Sequence, residues 1–167
     1  IEVSHKDLCG LIGRKLSVEQ LKDEILYAKG ELDEVHGDLL KLDMKDTNRP
    51  DMWSVEGVAR EIRARYKPGM VKIPIKKGRF VVRVDASMAK VRPYTACAVV
   101  KGLKINDAVL SQLIQLQEKA AGTFGRNRKE VAIGVYDFHR IKFPVTFKAF
   151  KPRDLAFVPL DFKEKLT

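Results

Sequence analysis

The stretch SVEQLKDEILYAKGELDEVHGDLLKLDM, residues 17–44, changes its apolar period partway along, and that change decides the fold class. Ser17, with Gln20 three positions on, forms a capping box at a helix start. Leu21, Ile25 and Ala28 then recur at spacings of four and three, one stripe of a helix that Gly30 closes. Beyond it the period drops to two. Leu40, Leu42 and Met44 alternate along LLKLDM, which can pair with LDEVHG as half-buried strands across Gly37. A helix packed by one stripe beside paired strands predicts an α+β fold.

Working outward, Ser4 can cap a short helix through Ile12, and Gly13 ends it at little steric cost. On the other side DTNRPD, residues 46–51, is dense in turn formers, and Pro50 suits the first turn of a following helix. Trp53, Val55, Val58, Ala59 and Ile62 give that helix a broad apolar face, with Tyr66 near its end. Asn48 either caps this helix or bonds its own turn, and Arg49 pairs with Asp51, Glu56 or a partner chain. Asn48, Arg49, Pro50, Asp51 and Trp53 therefore read as a structural turn, the alternative being a subunit or RNA interface. Residues 1–66 form a small helix and strand module, too small to hold a deep core alone.

Residues 67–77 are a Lys-rich connector with Pro68 and Pro74. In 78–167, Phe80, Val82 and Val84 point one way along a strand, and Tyr94 to Val100 reads as a buried central strand. Arg92, just before it, marks a strand entry or lines a nearby cleft. Asn106 is an N-cap, and Ala108 to Ala121 is the longest helix, with Leu110, Leu113, Ile114, Gln117 and Ala121 facing the sheet. Val131 to Asp137 and Pro144 to Phe150 supply two more strands. The expectation is a partial antiparallel or mixed sheet covered by a long helix.

The chain has 167 residues and a formal net charge of +10, with 45% hydrophobic residues, enough to support a folded core. Residues 1–66 carry 11 basic and 14 acidic side chains, whereas 67–167 carry 21 and 8, so any nucleic-acid contact belongs to the later part. Apolar runs such as ACAVV, 96–100, and VAIGVY, 131–136, are far too short for a membrane span or a secretory segment. Cys9 and Cys97 belong to no CxxC pair, which fits core packing in a reducing, cytoplasmic compartment. His5, His36 and His139 lack metal-site spacing, and no GxSxG, HExxH, P-loop or Rossmann pattern occurs. The first residue, Ile1, and the closing DFKEKLT suggest a piece of something longer.

The informative cluster is Gln112, Gln115, Gln117, Glu118 and Lys119, followed by Arg126, Asn127, Arg128 and Lys129. Gln117 lies on the apolar face, where a long amide is costly unless engaged. It is either bonded to main chain of the sheet or exposed in a pocket for a polar ligand. Arg126 and Arg128 can hold phosphate bidentately just past the helix, the alternative being an exposed basic turn.

LYAKGELDEV at 26–35, KDTNRPDMWSVEGVARE at 45–61, VRPYTACAVV at 91–100, LSQLIQLQEKAAGTFGRNRKEVAIGVYDFHRIKFP at 110–144 and FVPLDFKEKLT at 157–167 carry a further signal. Through them the chain resembles the N-terminal part of the phenylalanyl-tRNA synthetase β subunit of the archaeal and eukaryotic type. The resemblance implies an α2β2 heterotetramer that uses ATP and Mg2+, bound elsewhere, to ligate phenylalanine to tRNA(Phe). Within it, 1–66 would be the small N-terminal module and 78–167 the first part of the B3/B4 editing domain, which hydrolyses Tyr-tRNA(Phe). By resemblance Gln117, Glu118, Arg126, Arg128 and Arg92 fall at the editing pocket or the tRNA path. Asn127 stands where relatives are often basic. No metal ligand or certain catalytic residue is implied, and the chain alone is expected to be inactive. The alternatives are a standalone trans-editing deacylase and a noncatalytic subunit-docking module.

Overall fold

Short-range capping signals start the first elements. In the computed structural model, which describes residues 1–45, 47–69 and 72–166, strand β1 (Glu2–Ser4) runs into helix α1 (His5–Ile12). The Ser4 hydroxyl accepts the Asp7 N–H, and Gly13 turns the chain at φ 80°. Helix α2 (Val18–Tyr27) starts with the expected capping box: Ser17 accepts from Gln20 N–H, and the Gln20 side chain returns the bond. Strands β2 (Glu31–His36) and β3 (Leu39–Asp43) pair antiparallel, with Val35 opposite Leu40, and β1 joins the other edge of β3. The sheet order is β1-β3-β2.

The third helix begins later than the sequence suggests. Pro50–Trp53 forms a 3-10 turn, and helix α3 (Val55–Tyr66) starts only after Ser54. Ser54, not Asn48, is the cap: its hydroxyl accepts the Gly57 N–H at 3.1 Å and donates to Asp51 O at 3.0 Å. Asn48 lies exposed. Val3, Leu8, Leu21, Ile25, Leu40, Leu42, Met52, Val55, Val58 and Ile62 form the core, with Trp53 half-buried against it. At about 25 cal/mol per Å² of apolar area removed from water, this cluster is the main source of the unit's stability. Glu24 of α2 ties α3 to it, accepting from the Tyr66 hydroxyl and standing 3.1 Å from Arg65.

The later sequence is less regular than its apolar runs predict. Strands β4 (Val82–Val84) and β5 (Val145–Phe147) pair, but parallel, with Arg83 opposite Thr146. Tyr94 to Val100 and Val131 to Asp137 form no strands; Tyr94 is 90% exposed, and Cys97 is exposed rather than packed. A central strand needs a hydrogen-bonded neighbour on each side, and the two-stranded β4-β5 ladder offers these segments none. The connector expected at 67–77 includes Met70 and Val71, and the DTNRPD turn includes Asp46, which lie outside the described residues.

The chain divides into two compact units, residues 1–73 with 104–135, and residues 74–103 with 136–167. Helix α4 (Asp107–Gly122), capped by Asn106, thus groups with the first module rather than with the later strands. It is fixed to the edge of β1 by two amides. Gln115 accepts the Glu2 N–H at 2.6 Å and donates to Glu2 O at 3.0 Å, and Gln112 donates to the same carbonyl at 2.8 Å. Side-chain amides here satisfy an edge strand that would otherwise show bare N–H and C=O groups. This docking turns Leu110 and Ile114, expected to face a sheet, outward at 46% and 52% exposure, while Ala120 and Ala121 are buried.

The second unit is built around three half-buried rings, Phe80, Phe138 and Phe143, with Phe80 4.9 Å from each of the others. Met88 is its buried aliphatic residue, and Ala149 N–H donates to Ser87 Oγ at 3.1 Å. No helix among the described residues is long and apolar enough to cross a membrane.

Candidate functional site

A helix ends with four carbonyls that have no intrahelical partner, and α4 satisfies several of them by coiling the following chain back onto itself. Gly125 N–H donates to Ala120 O at 2.8 Å, Asn127 N–H to Gly122 O at 3.2 Å and Arg128 N–H to Ala121 O at 2.9 Å. To make these bonds Arg126, Asn127 and Arg128 adopt φ of 48°, 56° and 66° in succession. Three consecutive non-glycine residues in the left-handed region are costly, at roughly 1–2 kcal/mol each. Such strain persists where the surroundings over-determine it, and it concentrates at functional sites.

Gly125 lets the turn close. A Cβ there would meet Val131 O at 2.3 Å and Ala121 O at 2.7 Å. The turn presents two exposed guanidiniums beside carboxylates: Arg128 Nη2 donates to Glu118 Oε1 at 2.6 Å, and Arg126 Nη1 stands 3.9 Å from Glu130. The arrangement suits planar, bidentate capture of phosphate or carboxylate, which would exchange with Glu118. Cations at this point also complement the negative end of α4.

Of the residues singled out from the sequence, Glu118 and Arg128 meet directly, with Arg126 in the same turn. Gln117 is half-buried and its side chain makes no hydrogen bond among the described residues; the amides bonded to sheet main chain are Gln112 and Gln115. Arg92 belongs to the second unit, half-buried, with its N–H donating to Met88 O at 2.9 Å. The sequence reading missed the left-handed turn, whose signals are Gly125 and the tolerance of Asn127 for positive φ.

The NRPD segment builds the first unit. Arg49 grips Asp51 through Nε and Nη2, at 3.2 and 2.8 Å, and reaches Glu61, not Glu56, at 2.6 Å. The Arg49 bond holds the Asp51 carboxyl below the usual carboxylate range. A depressed folded pKa means the stabilisation is complete above the unfolded value near 3.9 and lost as pH falls through the folded one. Asp51→Asn should therefore cost about 0.5–1 kcal/mol at pH 7, as for a partly exposed pair, and almost nothing in acid strong enough to protonate the folded carboxyl. Urea titrations followed by fluorescence of Trp53, the chain's one tryptophan, check this. An equal deficit at both pH values would show that the ion pair is not the cause.

Two open grooves of about 400 Å³ lie on the first unit, one lined by Leu26, Lys29, Gly30, Glu31, Asp43 and Lys45, the other including Arg14, Arg63 and Tyr66. Neither includes α4 or its turn. Among the described residues no three His, Cys, Asp or Glu side chains gather as metal ligands would.

No protein-family model matches the chain. Curated relatives do. The phenylalanine-tRNA ligase beta subunit of Pyrococcus horikoshii is 49% identical over 99% of this chain and 31% of its own length. That of Thermococcus kodakarensis is 47% identical over 99% and 30%. The one from Methanosphaera stadtmanae is 37% identical over 72% of this chain and 22% of its own. The chain thus spans about a third or less of the curated relatives it matches. A crystal structure of an N-terminal fragment of the Pyrococcus horikoshii phenylalanyl-tRNA synthetase beta subunit superposes with TM-score 0.90 at 48% identity, covering all of this chain and 50% of that one.

Proposed function

The chain belongs to the phenylalanine-tRNA ligase beta subunit family, matching its N-terminal region, and from that premise we propose that it serves tRNA contact and hydrolytic editing of Tyr-tRNA(Phe) within an enzyme that charges tRNA(Phe). The observation that carries this reading is the strained Arg126-Asn127-Arg128 turn, which holds two guanidiniums at the end of a helix that also bears Gln117 and Glu118.

Hydrolysis of an aminoacyl ester needs an oriented water and donors for the developing oxyanion. In this reading Arg128 leaves Glu118 for a phosphate of the acceptor end, and Glu118 is freed to accept from the substrate or its water. Gln117, half-buried and without a side-chain hydrogen bond among the described residues, donates or accepts at the pocket wall. A wall that pairs the extra phenol hydroxyl selects tyrosine, because phenylalanine would leave those groups unsatisfied. The terminal ribose hydroxyl assists as a further proton carrier. Arg92, in the second unit, is proposed separately as a tRNA contact. ATP and Mg2+ serve ligation in the complete enzyme, and no step here runs through them.

In this proposal 1–66 is the small module, 67–77 the connector and 78–167 the first part of the editing domain, although residues 104–135 of that last range group with the small module. A fuller sheet in the longer subunit would cover the exposed Leu110 and Ile114 face of α4. The partners are tRNA(Phe), the α subunit and the remaining β domains of an α2β2 assembly.

Release of tyrosine from Tyr-tRNA(Phe) discriminates the readings. The 167-residue chain alone is expected to leave the ester intact, whereas the enzyme with the longer β subunit hydrolyses it. Turnover by the isolated chain would instead establish a standalone deacylase.

A further inference from the structure

Charge is unevenly divided between the two compact units. Residues 74–103 with 136–167 carry fourteen basic and five acidic side chains, a net +9; the remainder carries eighteen and seventeen, a net +1. Nearly all the excess positive charge therefore belongs to the smaller unit, whereas the Arg126 to Arg128 turn belongs to the other, where its guanidiniums already stand beside Glu130 and Glu118.

That unit is organised around aromatic rings rather than aliphatic side chains. Lys101 Nζ lies 5.4 Å from the Phe80 centroid and 5.2 Å from that of Phe138. The Arg79 guanidinium is 6.0 Å from Phe80, and the His139 ring stands 5.8 Å from Phe138 at a steep angle. Arg140 and Lys142 fall between Phe138 and Phe143 in the sequence. Each of the three phenylalanines is only half-buried, so ring surface remains open beside these cations.

We propose that the Phe80, Phe138 and Phe143 cluster is a binding surface for single-stranded RNA, with Arg79, Lys101 and Lys142 meeting phosphates and the open ring surface stacking on bases. Every base has a π-face, so such a platform tolerates sequence while cations follow the backbone. An acidic protein would satisfy the charge, but it would make no use of open rings. The inference rests on the reading that the chain handles RNA; it does not depend on where editing occurs.

The test measures anisotropy of a labelled oligouridylate, and of labelled inorganic polyphosphate, with the 167-residue chain from 50 to 300 mM NaCl. The Arg79→Gln, Lys101→Gln, Lys142→Gln variant should bind the RNA at least about tenfold more weakly. Its log K against log salt should flatten by about 2, near 0.7 for each lost single-strand phosphate contact. Phe138→Leu, which keeps apolar volume but no ring, should weaken RNA about fivefold and leave polyphosphate unchanged.

Absence of salt-dependent RNA binding by the parent chain would overturn both this inference and the RNA part of the functional reading. Parent binding that the triple variant leaves intact would overturn the inference alone. Equal loss of RNA and polyphosphate in Phe138→Leu, or displacement by poly-glutamate as effective as by RNA, would remove the stacking role and point to a protein partner. The Arg79, Lys101 and Lys142 substitutions keep all three rings, so the charge result is read independently of Phe138→Leu.

Discussion

Alanine at Gly125 is expected to dismantle the left-handed turn while leaving the core of the first unit folded. The added Cβ would lie 2.3 Å from Val131 O, 2.7 Å from Ala121 O and 2.9 Å from Ala121 Cα, all backbone atoms that no side-chain rotation can move. Relief requires pulling the turn off α4, which breaks the Gly125, Asn127 and Arg128 amide bonds to Ala120, Gly122 and Ala121. Those bonds hold three residues at positive φ against a steric preference of roughly 1–2 kcal/mol each, so their loss releases the turn completely. Amide hydrogen exchange of Gly125 to Glu130 should accelerate at least about a hundredfold, equivalent to about 2.7 kcal/mol of lost local protection, with Leu21 and Ile62 amides unchanged. Protection retained in the turn would show that its geometry does not depend on Gly125.

The larger effect on global stability belongs to Gly57. It sits in the first turn of α3, where a Cβ would be 1.8 Å from Asp51 O and 2.5 Å from Asp51 C. The same carbonyl accepts from Ser54 Oγ, so the contact lies at the joint between the 3-10 turn and the helix. Helix propensity favours alanine over glycine by about 1 kcal/mol, but forcing two backbones apart beside buried Met52 and Val55 costs more. Gly57→Ala should destabilise by about 3 kcal/mol, a fall in midpoint of about 15 °C for a unit of this size. Gly10→Ala is the matched comparison. Nothing lies within 4 Å of its added Cβ in α1, and it should stabilise by about 0.5–1 kcal/mol. Trp53 fluorescence reports both. Similar gains from the two substitutions would mean that the close approach at Gly57 is not restrictive.

Several contacts that act over three or four residues were legible in the sequence. Ser4, Ser17 and Asn106 cap their helices, Gly13 ends α1, and Leu40, Leu42 and Met44 face the core from β3 and just beyond it. What needed a distant partner was not. Tyr94 to Val100 has the composition of a central strand, yet strand formation depends on neighbours, and β-propensity chiefly measures packing against them. The face of α4 was misread for a related reason. Leu110 and Ile114 form its apolar stripe, but two glutamines that bond the edge of β1 set its rotation.

The candidate site divided in the same way. Arg126 and Arg128 announce themselves as cations after a helix. That they share a left-handed turn follows from a close approach between Gly125 and Val131, which composition does not encode. In the NRPD segment Arg49 bonds Asp51 and Glu61.

The central claim, that this turn serves editing rather than charging, is tested most directly in the enzyme carrying the longer β subunit with Arg128→Ala. Hydrolysis of Tyr-tRNA(Phe) should fall at least about tenfold, the lower range for losing one positioned charged donor, while attachment of phenylalanine stays within about twofold. Unchanged Tyr-tRNA(Phe) hydrolysis, or equal loss of both activities, would contradict it.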